Sequence, residues 1–293
     1  MRAIRLLGAA LAVAAVPVMA QQRVDERRPA SATGTVEISN VSGSVRITGW
    51  EQAEVAVTCT LGRGTERLDF STSGNRTLVK VVLPHLSTHH VEGSDLEIKV
   101  PAGSSLEVET VSADTAVDKI LGAIRLESVS GGITVGGSPR QFDATSVSGD
   151  IEITAASSPG SATTVSGSVN LLGVAGDVKA SSVSGNLVVK GGETSRVELE
   201  TTSGDISFNA ALARNGRLDA KTVSGSVELD LPAATAADFD VTTFSGDITN
   251  ELGPVARRTS EYGPGKELSF ATGGGGARVV AKSFSGSIRL RKR

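Results

Sequence analysis

Cysteine is nearly absent from this chain. A single one, Cys59, occurs in 293 residues, so no internal disulfide can form and the fold must be held by its core and its backbone ladders. Cys59 alternates in phase with Val55 and Val57, which reads as a buried small hydrophobe rather than a catalytic thiol. Aromatic residues are few (one Trp, one Tyr, seven Phe) and glycines number 34. Such a composition can mean disorder, but Val, Ile and Leu sit at strict alternate positions, which specifies strands. An excess of positive charge is also missing. The net charge is −3, which argues against a general nucleic-acid binder. After residue 20 no apolar run is long enough for a membrane span.

The one apolar run lies at the start. Arg2 and Arg5 precede Leu6 to Val18, and Val18-Met19-Ala20 offers a small-residue cleavage pattern. This predicts a signal peptide over 1–20 and a periplasmic or secreted protein. Removing it leaves 27 basic against 32 acidic residues, a charge of −5. No cysteine stands near the cleavage point to take a lipid.

What the sequence does hold is a repeat. Val41-Ser42-Gly43-Ser44-Val45 returns as Val129-Ser130-Gly131, Val147-Ser148-Gly149-Asp150-Ile151 and, last, Phe284-Ser285-Gly286-Ser287-Ile288. Its glycines fall at 131, 149, 167, 185, 204, 225, 246 and 286, a period near 20 that marks units which must stack to bury a core. Apolar pairs stand two and four residues after each glycine (Ile151/Ile153, Val169/Leu171) and seven and five before it (Phe142/Ala144, Val178/Ala180); Gly160/Ala162 is the small exception. Each unit thus carries two half-buried strands of opposite parity, joined by a bend at Ser-Gly.

The predicted fold is all-β, a single-stranded parallel β-solenoid or β-helix with an N-terminal β cap. Residues 21–32 read as a loose polar segment, 33–110 as the cap and first repeat, and 111–293 as solenoid repeats with a long insert at 251–278. Ser130, Ser148, Ser166 and their equivalents are expected to form a hydroxyl ladder along the bend, satisfying turn amides. The residue after the glycine, or after Ala113 in the degenerate unit Val111-Ser112-Ala113-Asp114, runs Asp114, Gly132, Asp150, Ser168, Asn186, Asp205, Ser226, Asp247, so no two carboxylates are neighbours, as stacked units require. Extra residues collect after the second strand of each unit, placing growing loops on one edge, where such proteins often bind partners.

Few residues suggest chemistry. His85, His89 and His90 lie within six residues, but their spacing matches no zinc motif. Glu198, Asp219 and Asp240 each precede a glycine by six and would stack in three successive units, where they could hold Ca²⁺ or act as acid and base; a solvated acidic strip is the plainer reading. The insert holds Arg257, Arg258 and Tyr262, residue types favoured at interfaces, and the glycine run 273–276, which lacks the Lys-Ser/Thr of a phosphate loop. A hairpin of 267–272 against 277–283 is expected there. The basic end, Arg289 to Arg293, reads as a charged edge that blocks aggregation of the last unit. No cofactor is indicated.

The run Val36 to Val45, the Gly49-Trp50 that follows and the serial Val/Phe-Ser-Gly-Asp/Ser-Ile/Val units resemble a bacterial family of β-strand-repeat proteins of unknown function, labelled "putative adhesin" domains. The resemblance implies an exported β-solenoid without assigned chemistry. The sequence therefore points to a non-enzymatic scaffold or binding protein of the bacterial cell envelope, its partner an envelope component or another protein and not nucleic acid. The alternative is a carbohydrate-active β-helix enzyme working through Glu198, Asp219 and Asp240.

Overall fold

Strand parity in the sequence becomes inside and outside in space. The computed structural model describes residues 22–84, 92–260 and 263–293. Residues 1–20, where a signal peptide is expected, the three histidines and Tyr262 lie outside these. All regular structure among the described residues is β, with no helix.

The two strands of each unit pair in parallel with those of the next, in the register the repeat predicts. Phe142 and Ala144 stand opposite Ile124 and Leu126. Ile151 and Ile153 stand opposite Ile133 and Val135 on one side and Val169 and Leu171 on the other. Strands before the Ser-Gly bend form one wall (the leading wall) and strands after it a second (the trailing wall). The apolar residues of both walls meet in one core: Ala180, Leu199 and Leu218 of the leading wall and Ile151, Leu171 and Val189 of the trailing wall are fully buried. The small unit at Gly160 has a steric cause. A Cβ built there would stand 2.6 Å from Cγ of Phe142, whose ring fills that space.

The two walls are not simply open. Ser105–Ile120 runs through the bend and pairs with Ala123–Ser128 in one wall and Ile133–Gly137 in the other. Val169–Ser182 likewise pairs with both Gly160–Thr163 and Ile151–Ala155. With Gln141–Ser146 bridging Ala123–Ser128 and Gly160–Thr163, seven parallel strands close a hydrogen-bonded ring, in place of the plain solenoid expected.

The N-terminal strands join the same sheet. Thr35–Trp50 pairs in parallel with Ser105–Ile120, Arg76–Val82 and Ser94–Pro101. Beyond it the pairing turns antiparallel, Glu54–Leu61 on Ser94–Pro101 and Arg67–Ser73 on Arg76–Val82. The segment expected to be loose is not: Gln22–Pro29 forms an exposed antiparallel edge strand on Glu54–Leu61.

The largest departure is at the other end. The last unit does not stack beyond the one before it in sequence. Ala277–Ser285 lies between Ile206–Ser224 and Ala237–Ser245, with Val279 opposite both Leu218 and Phe239. Ile288–Lys292 lies between Val227–Leu231 and Ile248–Asn250. The expected hairpin is absent: Lys266–Thr272 pairs antiparallel with the outer edge of Ala237–Ser245, leaving only its inner edge for the last parallel strand. Gly273 to Gly276 carry the chain across, all with positive φ (59°, 81°, 79° and 146°). The basic C-terminal strand is therefore interior to the stack, where Arg291 pairs with Glu228, and does not guard an edge.

Cys59 is 1 % exposed, and burial, with the nearby Asp95 charge, pushes its thiol up from 9.0 to about 11. The native thiol should not react with a disulfide reagent at pH 8, and one equivalent should react in denaturant. The unfolded thiol ionises near pH 9 and the folded one only near 11, so stability should fall as pH rises between these values; a flat denaturation midpoint across that window would contradict it.

From Gly149 on, each corner glycine sits directly on the corner glycine of a neighbouring unit. A Cβ on Gly185 would approach the Gly167 carbonyl oxygen closer than any real Cβ contact. Gly185→Ala should cost on the order of 3 kcal/mol. Gly274→Ala, at φ 81° but in open space, should cost about 1 kcal/mol. Urea midpoints of the two variants compare them directly.

Candidate binding surfaces

Stacking turns each position of the repeat into a row of side chains. The inward hydroxyl row lies three residues before the glycine, not one. Ser130, Ser148 and Ser166 are exposed. Ser128, Ser146 and Thr164 are buried and accept the N–H of Gly131, Gly149 and Gly167 at 3.0, 2.9 and 3.2 Å. Ser182, Thr201, Thr222 and Thr243 donate to a corner carbonyl of the adjacent unit at 2.9–3.1 Å. These bonds satisfy backbone groups that the bend would otherwise leave buried and unpaired.

The residue after the glycine has an electrostatic role and a bonding one. Asp114, Asp150 and Asp205 accept the backbone N–H of Gly132, Ser168 and Ser226 at 2.9, 2.7 and 2.7 Å, and Asn186 accepts that of Asp205 at 2.9 Å. Asp150→Ala should lower the thermal midpoint by a few degrees and Asp150→Asn by much less, because the amide oxygen keeps the bond, as Asn186 does natively. Equal losses for both variants would assign the effect to charge alone.

The acidic trio does not assemble. Glu198 and Asp219 are cross-strand neighbours. The intercalated last unit then places Val280, 5 % exposed, between Asp219 and Asp240. Each remaining carboxylate has its own cation. Lys179 Nζ lies 3.1 Å from Glu198, and Arg217 donates to Asp219 at 3.0 Å. The Arg217 guanidinium is held above its usual range, chiefly by its hydrogen bond to Asp219. Among the described residues no group of three His, Cys, Asp or Glu gathers in the manner of metal ligands. The stack of three carboxylates expected here, as a Ca²⁺ site or an acid–base set, is therefore not formed, and only Glu198 and Asp219 remain neighbours.

Two other expected residues do meet. Asp240 and Arg257 line one cleft of about 320 Å³ with Thr242, Pro254, Val255, Glu267, Leu268 and Ser269. Arg257–Arg258 is a short strand on Lys266–Thr272, which sets Arg257 opposite Glu267. Val255, at the mouth, is 83 % exposed.

The most extended surface was not foreseen. Two residues before the corner residue, which is Gly in most units and Ala113 in one, stands an outward apolar side chain in nearly every unit: Val111, Val129, Val147, Val165, Val183, Val223, Phe284 and Phe244 are 43–57 % exposed. Val41 begins the row and Thr202 interrupts it. Its backbone is laddered, Val129 and Val147 carbonyls accepting from Ser148 and Ser166 at 2.8 and 2.9 Å. Phe244 and Phe284 stack with centroids 4.8 Å apart, though forty residues separate them in sequence, because their units are spatial neighbours.

Residues 159–291 match the model of the Toastrack DUF4097 family. The Toastrack stretch is just under half of the chain and contains the intercalated unit, the insert and most of the apolar row. It bears out the resemblance to a bacterial family of unknown function. No curated protein matches the chain. Among solved structures, a putative adhesin from Bacteroides fragilis is 10 % identical with a TM-score of 0.47, covering 92 % of this chain and 97 % of that one. A putative adhesin from Parabacteroides merdae is 11 % identical with a TM-score of 0.45 (92 % and 96 % covered), and a putative lipid binding protein from Parabacteroides distasonis is 11 % identical at 0.41 (92 % and 96 %).

Proposed function

We propose that this protein is an exported, non-enzymatic β-solenoid scaffold of the bacterial cell envelope, periplasmic or secreted, with its antiparallel N-terminal strands acting as a cap. It binds an envelope component or a protein partner in an adhesin-like manner. The observation that carries this reading is where the interactive groups are spent. Outward wall carboxylates such as Glu198, Glu200 and Asp219 are tied to neighbouring cations, whereas the cleft at the insert combines the exposed Val255 with Arg257, Asp240 and Glu267. An exposed aliphatic beside an Arg and two carboxylates suits contact with a polypeptide or a polar headgroup. The leader read in residues 1–20 and the family resemblance supply the envelope setting. The carbohydrate-active alternative keeps only two neighbouring carboxylates of its three, Glu198 and Asp219, each engaged with a cation.

Purified protein should co-sediment with isolated bacterial envelopes. The double variant Val255→Asp, Arg257→Glu should weaken that association about tenfold or more while leaving the thermal midpoint unchanged. Turnover of any envelope glycan by the wild type, abolished by Asp219→Asn, would replace this reading with the enzymatic one.

A further inference from the structure

The apolar row has ten rungs in a fixed spatial order: Val41, Val111, Val129, Val147, Val165, Val183, Thr202, Val223, Phe284 and Phe244. That order follows from the register of the leading wall. At ~4.8 Å per rung the row is about 43 Å long. With its flanks it offers on the order of 800 Å² per copy, the size of a standard stable interface.

Charge along its leading-wall flank is not uniform. The residue two before each apolar one runs Ser39, Glu109, Glu127, Thr145, Thr163, Ser181, Glu200, Lys221, Lys282 and Thr242. One end is acidic and the other basic. A shallow groove of about 390 Å³ at the first end is lined by Glu109, Glu127, Val111 and Val129. A second, of about 380 Å³ at the other end, is lined by Lys221, Lys282, Phe244 and Phe284. Glu127 and Lys221 already pair within the protomer, with Arg125 and Glu200. Glu109 and Lys282 form no ion pair among the described residues.

We infer that the row is the interface of an antiparallel homodimer in which Glu109 of each copy meets Lys282 of the other. A two-fold axis across the middle of the row, between the Val165 and Val183 rungs, sets each rung against its mirror: Val111 on Phe284, Val129 on Val223, Val165 on Val183. The same operation sets Glu109 against Lys282 and Glu127 against Lys221 at both ends. The two charges without an internal partner are thereby matched twice by one symmetry element. Its one like-charge approach, Asp150 toward Asp205, falls on the opposite flank, where both carboxylates are engaged with backbone amides. A parallel dimer would instead place Glu109 against Asp114 and leave Lys282 facing Ser287, so charge selects the antiparallel form.

The test is sedimentation velocity of the purified protein at about 1 to 100 µM. The wild type should be a dimer at ~10 µM, and its dissociation should be promoted by salt. Glu109→Lys and Lys282→Glu should each raise the dissociation constant about tenfold or more. The double exchange should restore it to within about threefold, and Val165→Glu, at the centre, should give a folded monomer. A wild type that remains monomeric to 100 µM overturns the inference. So does a double exchange no better than the singles, or a row that takes up detergent or lipid in place of a second copy. Envelope association through Val255 and Arg257 does not require the dimer, so a monomer that still co-sediments would remove the dimer and leave the proposed function intact.

Discussion

The structure depends on how closely the backbone of one unit lies on the next at the Ser-Gly bend. The corner glycines approach the preceding corner carbonyl so nearly that no side chain fits between. That contact fixes register to the single residue, and in a sheet a slip of one residue would turn every side chain to the wrong face. Because register is fixed at the bend, the Val, Ile and Leu pairs on both sides of it fall inward in every unit, and the core closes without a disulfide or a large aromatic content.

A fixed register has a second consequence: any residue type repeated at one position becomes a continuous row. Hydroxyls three before the glycine satisfy the bend from within, as Ser128 does for Gly131. Carboxylates after the glycine would repel if adjacent, and their alternation with Gly, Ser and Asn lets Asp114, Asp150 and Asp205 bond the next amide without facing one another. The same logic writes the apolar row on the outside. Mutual repulsion limits a charged row but not an apolar one, so the apolar position can repeat in almost every unit at the cost of a continuous exposed apolar strip.

Much of this was legible in the sequence. The parity switch across Gly149, the two strands per unit and the weak unit at Gly160 all followed from alternation, and Phe142 over Gly160 supplies the physical reason for the last. Two things were hidden. Ser128 and Ser130 are chemically alike, and only burial separates the hydroxyl that bonds the corner from the one that faces water. The place of the last unit was also hidden. Short connections force the next unit in sequence to be the next in space, but the insert at 251–278 removes that constraint, and with it went the prediction that Asp219 and Asp240 would be neighbours. A signal for the apolar row did exist: Val129 and Val147 have the opposite parity to the buried Leu126 and Ala144, which places an apolar side chain outside.

Intercalation of the last unit explains how an all-parallel stack can end safely. An exposed parallel edge invites further strands. Here the outermost parallel strand of the leading wall, Ala237–Ser245, is covered by the antiparallel Lys266–Thr272, and the trailing wall ends in a strand of only three residues, Ile248–Asn250. At the other end Gln22–Pro29 presents a charged, proline-terminated edge. The chain reaches this arrangement only by leaving the stack through the insert, laying down the cover strand and returning inside it. The excursion also builds the cleft around Val255 and Arg257, so edge protection and the proposed binding site have one cause. An antiparallel pair of such rods would carry a cleft at each end. Two weak contacts on one envelope surface would then act together, raising avidity without any tighter individual site.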